Sequence, residues 1–242
     1  MTEFRLAMRQ VSRVYPGGAG VHAVSLDVAA GEIHALVGLN GAGKTTLMRL
    51  MLGMLCPDAG AVLIGGLDIA TAPSALWVRV GHLVEQPFAY PELTTQSNLA
   101  LAARLRGVPT AAIADTVTHA IVELHLGEYA GVRAGRLSKG NRQRLGLAAA
   151  LQHDADVIVL DEPTTALDPA GVRLLRAALQ RRAAAGAGIL VSSHHLDEVA
   201  RIANRITVLN RGGVIGALDP GGVDIERAFF ALVHADDERR AA

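Results

Sequence analysis

Residues 38–46 read Gly-Leu-Asn-Gly-Ala-Gly-Lys-Thr-Thr, and no other stretch constrains the fold as tightly. The spacing G-x-x-x-x-G-K-S/T belongs to loops whose backbone amides cradle phosphates. Glycines let successive N–H groups turn inward as an anion nest, and a helix beginning there adds its partial positive charge. Such a loop needs a strand before it and a helix after it. Ile33-His34-Ala35-Leu36-Val37 is a short apolar run with a glycine at each side, and Leu47, Leu50, Met51 and Met54 recur at helical spacing. Lys44 has the length to reach β- and γ-phosphates, and the Thr45 hydroxyl suits a place on Mg²⁺. Gly38, Leu39, Asn40, Gly41, Ala42, Gly43, Lys44, Thr45 and Thr46 are therefore candidate phosphate-binding residues.

A chain of 242 residues can build one large domain with a substantial core. Basic and acidic residues number 23 each, so no net charge argues for nucleic acid or a membrane surface. Cys56 is the single cysteine, which excludes an intrachain disulfide and suits a reducing cytosol. Met1–Gln10 carries charges inside its apolar stretch, unlike a signal peptide. No apolar run approaches the roughly 18 residues of a membrane span. A soluble chain is expected, with any membrane role requiring a partner.

Phe4, Leu6 and Met8 alternate, and Val21–Val28 follows a Tyr15-Pro16-Gly17-Gly18 turn, so residues 2–37 predict an antiparallel β region. Tyr15, by position alone, is a boundary aromatic. Pro57-Asp58-Ala59-Gly60 turns the chain into a strand at Ala61–Ile64, Gly65-Gly66 is a further turn, and Val80–Val84 is a short buried strand. From about 87 to 136 strand runs give way to helical spacing. Thr94 is an N-cap ahead of Leu99, Leu101, Ala102 and Leu105, and Ile113, Val117, Ile121 and Leu124 recur after Pro109. This section reads as a helical subdomain inserted into an α/β core. From Asp156 onward strand and helix alternate over Val157–Leu160, Ala170–Ala184, Ile189–Ser192, Leu196–Ala203 and Ile206–Leu209, which implies βαβ units and a largely parallel sheet. Asp168-Pro169 marks a helix start, and the charged tail from Asp236 to Ala242 is expected to fray.

The strand Val157–Leu160 ends in Asp161-Glu162-Pro163. Two carboxylates at the C-terminal edge of a parallel strand face the crevice that holds phosphates. Asp161 is suited to hold Mg²⁺, and Glu162 to act as general base or to position water. Leu137-Ser138-Lys139-Gly140-Asn141 precedes a helix carrying Leu145, Leu147, Ala148 and Leu151, so a hydroxyl and free amides make a second anion site. His194-His195 is no metal pair, because neighbours i and i+1 share no face.

Over nearly its whole length the chain resembles an ATP-binding-cassette ATPase, the nucleotide-binding subunit of a transporter. Gly38 to Thr46 matches the family's Walker A loop, Val157 to Glu162 its Walker B strand, Leu137 to Asn141 its LSGGQ signature, Ala166-Leu167-Asp168 its D-loop, and Ser192-Ser193-His194 its switch-histidine segment. The resemblance implies a P-loop NTPase core, a largely parallel sheet flanked by helices, with an N-terminal antiparallel β region and the helical insert, all in one domain over 1–242. It also implies that Tyr15 stacks on adenine and that His194 senses the γ-phosphate.

Two positions depart from the pattern. The signature reads Ser-Lys-Gly-Asn, with Ser138 and Gly140 retained. At the family's Q-loop glutamine, the strand alignment places Glu85, and a one-residue slip places Gln86. Glu85 resembles the exporters of bacteriocin and antibiotic-resistance type, and a carboxylate there serves as a catalytic water ligand or a Mg²⁺ ligand. The resemblance implies ATP and Mg²⁺ as cofactors, a separately encoded membrane permease as partner, and head-to-tail pairing as a homodimer or with a homologous ATPase subunit. No nucleic acid is expected. The implied place is cytoplasmic, peripheral on the inner face of the cell membrane, with export favoured. Rival functions are an importer ATPase and a soluble family ATPase acting on nucleic acid or ribosomes.

Overall fold

The computed structural model describes residues 4–87 and 89–241. The expectations touching Met1–Glu3, Phe88 and Ala242, at the ends of the chain and at the start of the insert, lie outside the described residues. β1 (Phe4–Val14) and β2 (Gly20–Ala29) form an antiparallel hairpin around the Tyr15 turn, and β3 (Ile33–Val37) leads into the phosphate loop and α1 (Lys44–Met51). β4 (Ala59–Ile64) and the two-residue β5 (Leu67–Asp68) complete a four-stranded sheet of order β2-β1-β4-β5. A short tight helix over Ser74–Arg79 leads to β6 (Val80–Leu83). The insert follows with α2 (Thr95–Leu105) and α3 (Ile113–Glu123), and α4 (Lys139–Leu151) returns the chain to the core. β7 (Val157–Leu160), α5 (Pro169–Ala184), β8 (Gly188–Ser193), α6 (Leu196–Ala200), β9 (Arg205–Asn210), β10 (Gly213–Leu218) and α7 (Ile225–Ala241) close the chain.

The second sheet has the order β10-β9-β3-β8-β7-β6, parallel from β9 to β6 with β10 as an antiparallel edge. Its central strands are buried on both faces, and their alternation divides the core in two. Ile33, Ala35 and Val37 of β3, with Ile158, Leu160, Ile189 and Val191, pack under the helices α2–α5. Leu36, Val157, Val159 and Leu190 face the other way, against α1 and the antiparallel sheet. α1 is thus clamped between the two sheets, with Leu47, Met48, Leu50 and Met51 fully buried.

Helix starts follow the sequence cues. Thr94 accepts a hydrogen bond from the Ser97 amide, and Asp168 accepts one from Gly171 with Pro169 at the first helical position. Several boundaries differ, most by a residue or two. β6 ends at Leu83, leaving Val84 outside the strand, and α6 ends at Ala200 rather than Ala203. The tail does not fray. Residues through Ala241 continue α7, because Asp236 is buried against Asn210 of β9, whose Nδ2 donates to it at 2.9 Å.

Candidate nucleotide-binding site

In the parallel sheet β3, β8 and β7 are neighbours, with Val37 paired to Ser193 and Leu160 to Val191. Their C-terminal ends carry the phosphate loop, the His194 segment and Asp161-Glu162, so three segments distant in sequence open onto one crevice. There a cleft of about 340 Å³ is lined by Tyr15, Ala19, Gly20, residues 40–46, Asp161 and Glu162. Gly38 and Leu39 do not line it. Gly38 lies beneath the loop, where a Cβ would sit 2.3 Å from the Leu209 carbonyl oxygen, and Leu39 points outward at 45% exposure.

The loop turns through two left-handed glycines, Gly41 at φ +81° and Gly43 at φ +104°. Gly43 caps α1 without a side chain, so the first amides of the helix face the cleft unshielded, with no acidic residue in the first turn. Lys44 curls back, its Nζ donating to the Gly38 carbonyl at 2.7 Å and lying 3.9 Å from Glu162 Oε1. Burial lowers the Lys44 pKa from its usual value, opposed by the charges of Glu162 and Asp161.

Asp161 is held on both oxygens. Thr45 Oγ1 donates to Oδ2 at 2.7 Å, and Ser192 Oγ donates to Oδ1 at 2.5 Å. Ser192 also accepts the Glu162 amide at 2.8 Å. That bond anchors Glu162 in a left-handed conformation, φ +46°, which a residue with a Cβ adopts only when its surroundings enforce it. The Glu162 carboxylate then lies between Lys44 and His194, whose Nδ1 is 2.7 Å from Oε2. Ser192 was readable only as part of a motif; its double contact depends on β8 lying beside β7.

Other candidates lie elsewhere. Glu85 follows β6 at φ +67° and pairs with Arg49 of α1; neither it nor Gln86 lines the cleft. Ser138 and Gly140 also stay outside it. The Ser138 hydroxyl caps the Asn141 amide, and Gly140 packs so closely on the loop after β7 that a Cβ would be 2.7 Å from the Ala166 carbonyl oxygen. Gln143 and Arg144 fasten this segment further, through Pro163 and Asp168. Ala19 and Gly20 are lining residues that no sequence pattern marked.

The family described as ABC transporter matches residues 21–165. The SkfA peptide export ATP-binding protein SkfE of Bacillus subtilis (strain 168) is 36% identical over 209 residues, covering 86% of this chain and 86% of that protein. ATP-binding cassette sub-family A member 7 of Rattus norvegicus is 35% identical over 86% of this chain, although the chain spans only 10% of that much longer protein. A solved structure of the ATP binding subunit of an ABC transporter superposes with a TM-score of 0.83 at 30% identity, covering 94% of each chain. With most of its length matched and the phosphate loop meeting Asp161 and Glu162 at one cleft, the chain belongs to the ABC transporter family.

Proposed function

We propose that this chain is the ATP-hydrolysing subunit of an ABC transporter and drives export through a separately encoded membrane permease. The observation that carries the reading is the Glu162 carboxylate, fixed between Lys44 and His194 at a cleft floored by a phosphate loop. The loop amides and the α1 N-terminus bind the phosphate oxygens, Lys44 neutralises charge on the β- and γ-phosphates, and Tyr15 takes the adenine face. Glu162 accepts the proton of the attacking water. The new bond joins that oxygen to the γ-phosphorus while the bond to the β,γ-bridging oxygen breaks, releasing ADP and phosphate. His194 holds Glu162 in place from the opposite side to Lys44.

The fit to Mg²⁺ follows from the donor set. Thr45 Oγ1 and Asp161 Oδ2 are hard oxygens 2.7 Å apart, and among the described residues no three acidic, His or Cys side chains form a cage of their own. Magnesium typically takes one or two protein oxygens and completes its shell with phosphates and water. Thr45 and Asp161 would hold it, and it would draw charge from the γ-phosphoryl oxygens. Glu85, paired with Arg49 and outside the cleft, would have to leave that pair to contribute to the shell.

Ser138 and Gly140 serve the site of a second subunit, a copy of this chain or a homologous ATPase, in a head-to-tail pair. Their placement outside the chain's own cleft supports this. The similarity to SkfE, named for peptide export, favours export. Among the described residues no helix is long and apolar enough to cross a membrane. The family's pairing with a membrane permease favours a place on the cytoplasmic face, with the permease held across the insert.

Glu162→Gln tests the base assignment. It should keep ATP binding, lower hydrolysis by about a hundredfold or more, and accumulate an ATP-bound dimer on size-exclusion chromatography. Hydrolysis at the wild-type rate would refute the reading.

A further inference from the structure

The hairpin turn between β9 and β10 touches the phosphate loop directly, and nothing in the hydrolytic scheme uses it. The Gly212 amide donates to the Ala42 carbonyl at 2.9 Å, and the Gly212 carbonyl accepts the His22 amide at 2.8 Å. Gly212 fits only as glycine, at φ +79° and with a notional Cβ 2.1 Å from the Gly20 carbonyl oxygen. In a trans peptide the C=O and the following N–H point in opposite directions. Pinning the Ala42 carbonyl outward on Gly212 therefore aims the Gly43 N–H into the cleft that Gly43 lines.

The turn itself is costly. Asn210 pairs with Gly213, and the two residues between them both have positive φ, Arg211 at +43° and Gly212 at +79°. Such a turn favours Asn-Gly or Gly-Gly, and a left-handed arginine needs external support. That support comes from α7. Buried Asn210 donates through Nδ2 to Asp236 Oδ2 at 2.9 Å and Asp237 Oδ1 at 3.2 Å, and Arg211 pairs with Asp237 at 3.1 Å. Arg240 donates to the same Asp236 oxygen at 2.9 Å, so the buried carboxylate is charge-compensated.

We propose that Asn210, Asp236 and Asp237 are positioning residues. They hold the Arg211–Gly212 turn so that Gly212 orients the Gly43 amide toward the bound phosphates, which makes the C-terminal helix part of the nucleotide-affinity apparatus. The inference rests on the nucleotide-binding reading of the cleft.

The test compares wild type with Asn210→Ala, Asp237→Ala and the double variant Asn210→Ala/Arg211→Gly, each first shown by thermal melting to be folded. Two readouts are taken: affinity for a fluorescent ATP analogue with Mg²⁺, and amide hydrogen exchange at Gly212 without nucleotide. Asn210→Ala should weaken binding about tenfold and speed Gly212 exchange by a similar factor. Asp237→Ala, at the exposed end, should weaken binding about threefold. Arg211→Gly should restore both readouts in the Asn210→Ala background, because glycine adopts a positive φ unaided. A wild-type Kd in Asn210→Ala would overturn the proposal, as would a weakened Kd that Arg211→Gly leaves unrelieved, since that is the mark of lost packing alone. Failure of the wild-type protein to bind the analogue would instead refute the nucleotide-binding reading, with Gly212 exchange still reporting on the turn.

Discussion

Replacing Ser192 with alanine removes one oxygen atom that serves two neighbours at once. The side chain is fully buried, donates to Asp161 at 2.5 Å and accepts from the Glu162 amide at 2.8 Å. A hydrogen bond to an ionised group contributes about 1.5–3 kcal/mol, and a buried amide left unsatisfied costs about 1–3 kcal/mol. Partial relaxation brings the expected loss of unfolding free energy to about 2–4 kcal/mol, a large share of the stability of an ordinary domain. The catalytic effect has a separate origin. Glu162 sits at φ +46°, a conformation that costs about 1–3 kcal/mol unless enforced. Without Ser192 the residue relaxes toward negative φ, and its carboxylate leaves the position between Lys44 and His194. Because general-base catalysis contributes about 10²–10⁴ in rate, even partial misplacement should lower kcat at least tenfold. ATP affinity, set mainly by the loop on β3, should change less than about threefold. The assays are phosphate release at saturating ATP, equilibrium binding of a fluorescent analogue, and urea denaturation. Ser192→Thr retains the hydroxyl and should recover kcat even where its extra methyl costs stability. An unchanged kcat in Ser192→Ala, or a Ser192→Thr variant as slow as the alanine, would show that Glu162 holds its conformation without this hydroxyl.

Three further outcomes are expected. Lys44→Ala should lower ATP affinity by about tenfold or more through loss of a charge-assisted phosphate contact, measured by equilibrium binding; unchanged affinity would contradict its role. Arg49→Ala frees Glu85 from its ion pair. If Glu85 serves the magnesium shell, half-saturation by Mg²⁺ in the hydrolysis assay should fall, and a Glu85→Ala background should abolish the change. The third concerns pH. Burial, reinforced by Arg106, lowers His82 and His153 to about 4, and burial with Arg205 does the same for His34. All three lie below their unfolded value of 6.5, so the unfolded chain binds protons first as pH drops. Stability is therefore intact above pH 6.5 and declines down to about 4, where the folded protein also protonates. His82 accepts from Arg106 at 2.9 Å through Nδ1, an interaction only the unprotonated ring can make. His82→Gln keeps an acceptor and should flatten the decline in urea midpoints over that range.

Much of this site was legible because its signals are local. A strand, a glycine loop and a lysine lie within a dozen residues, and Asp161-Glu162 ends a four-residue apolar strand. The order and spacing of the segments extended that to the sheet and the helical insert. What escaped was set by strand neighbours and by distant packing. Ser192 acquires its task only because β8 lies between β3 and β7. The tail looked solvated because Asp236, Asp237, Arg239 and Arg240 are all charged, yet Asp236 meets a buried asparagine 26 residues earlier. The short buried run Val80–Val84 located a strand, but the ion pair of Glu85 with Arg49 depends on how that strand's exit faces α1.

The charges at the cleft are already partnered within the chain. Each acidic side chain at the cleft has internal partners: Thr45 and Ser192 donate to Asp161, His194 contacts Glu162 Oε2, and Lys44 forms a looser ion pair with Glu162 Oε1. A triphosphate entering the cleft must compete for those donors, taking Lys44 from the Gly38 carbonyl and separating Thr45 from Asp161. Net affinity is a difference between two well-bonded states rather than the sum of new contacts. Backbone amides at helix N-termini face less competition: no side chain caps those of α1, while on α4 the Ser138 hydroxyl caps the Asn141 amide. One set, on α1, belongs to this chain's own loop. The other opens α4 beside Ser138 and Gly140, and that helix is fastened to the loop after β7, with Gly140 against Ala166 and Arg144 on Asp168. It cannot swing into its own cleft without breaking those contacts, which fits the proposal that its amides serve a nucleotide held by another subunit. In the proposed head-to-tail pair the same fastening would couple closure of α4 on a neighbour's nucleotide to Pro163, Ala166 and Asp168, in the loop that follows Glu162.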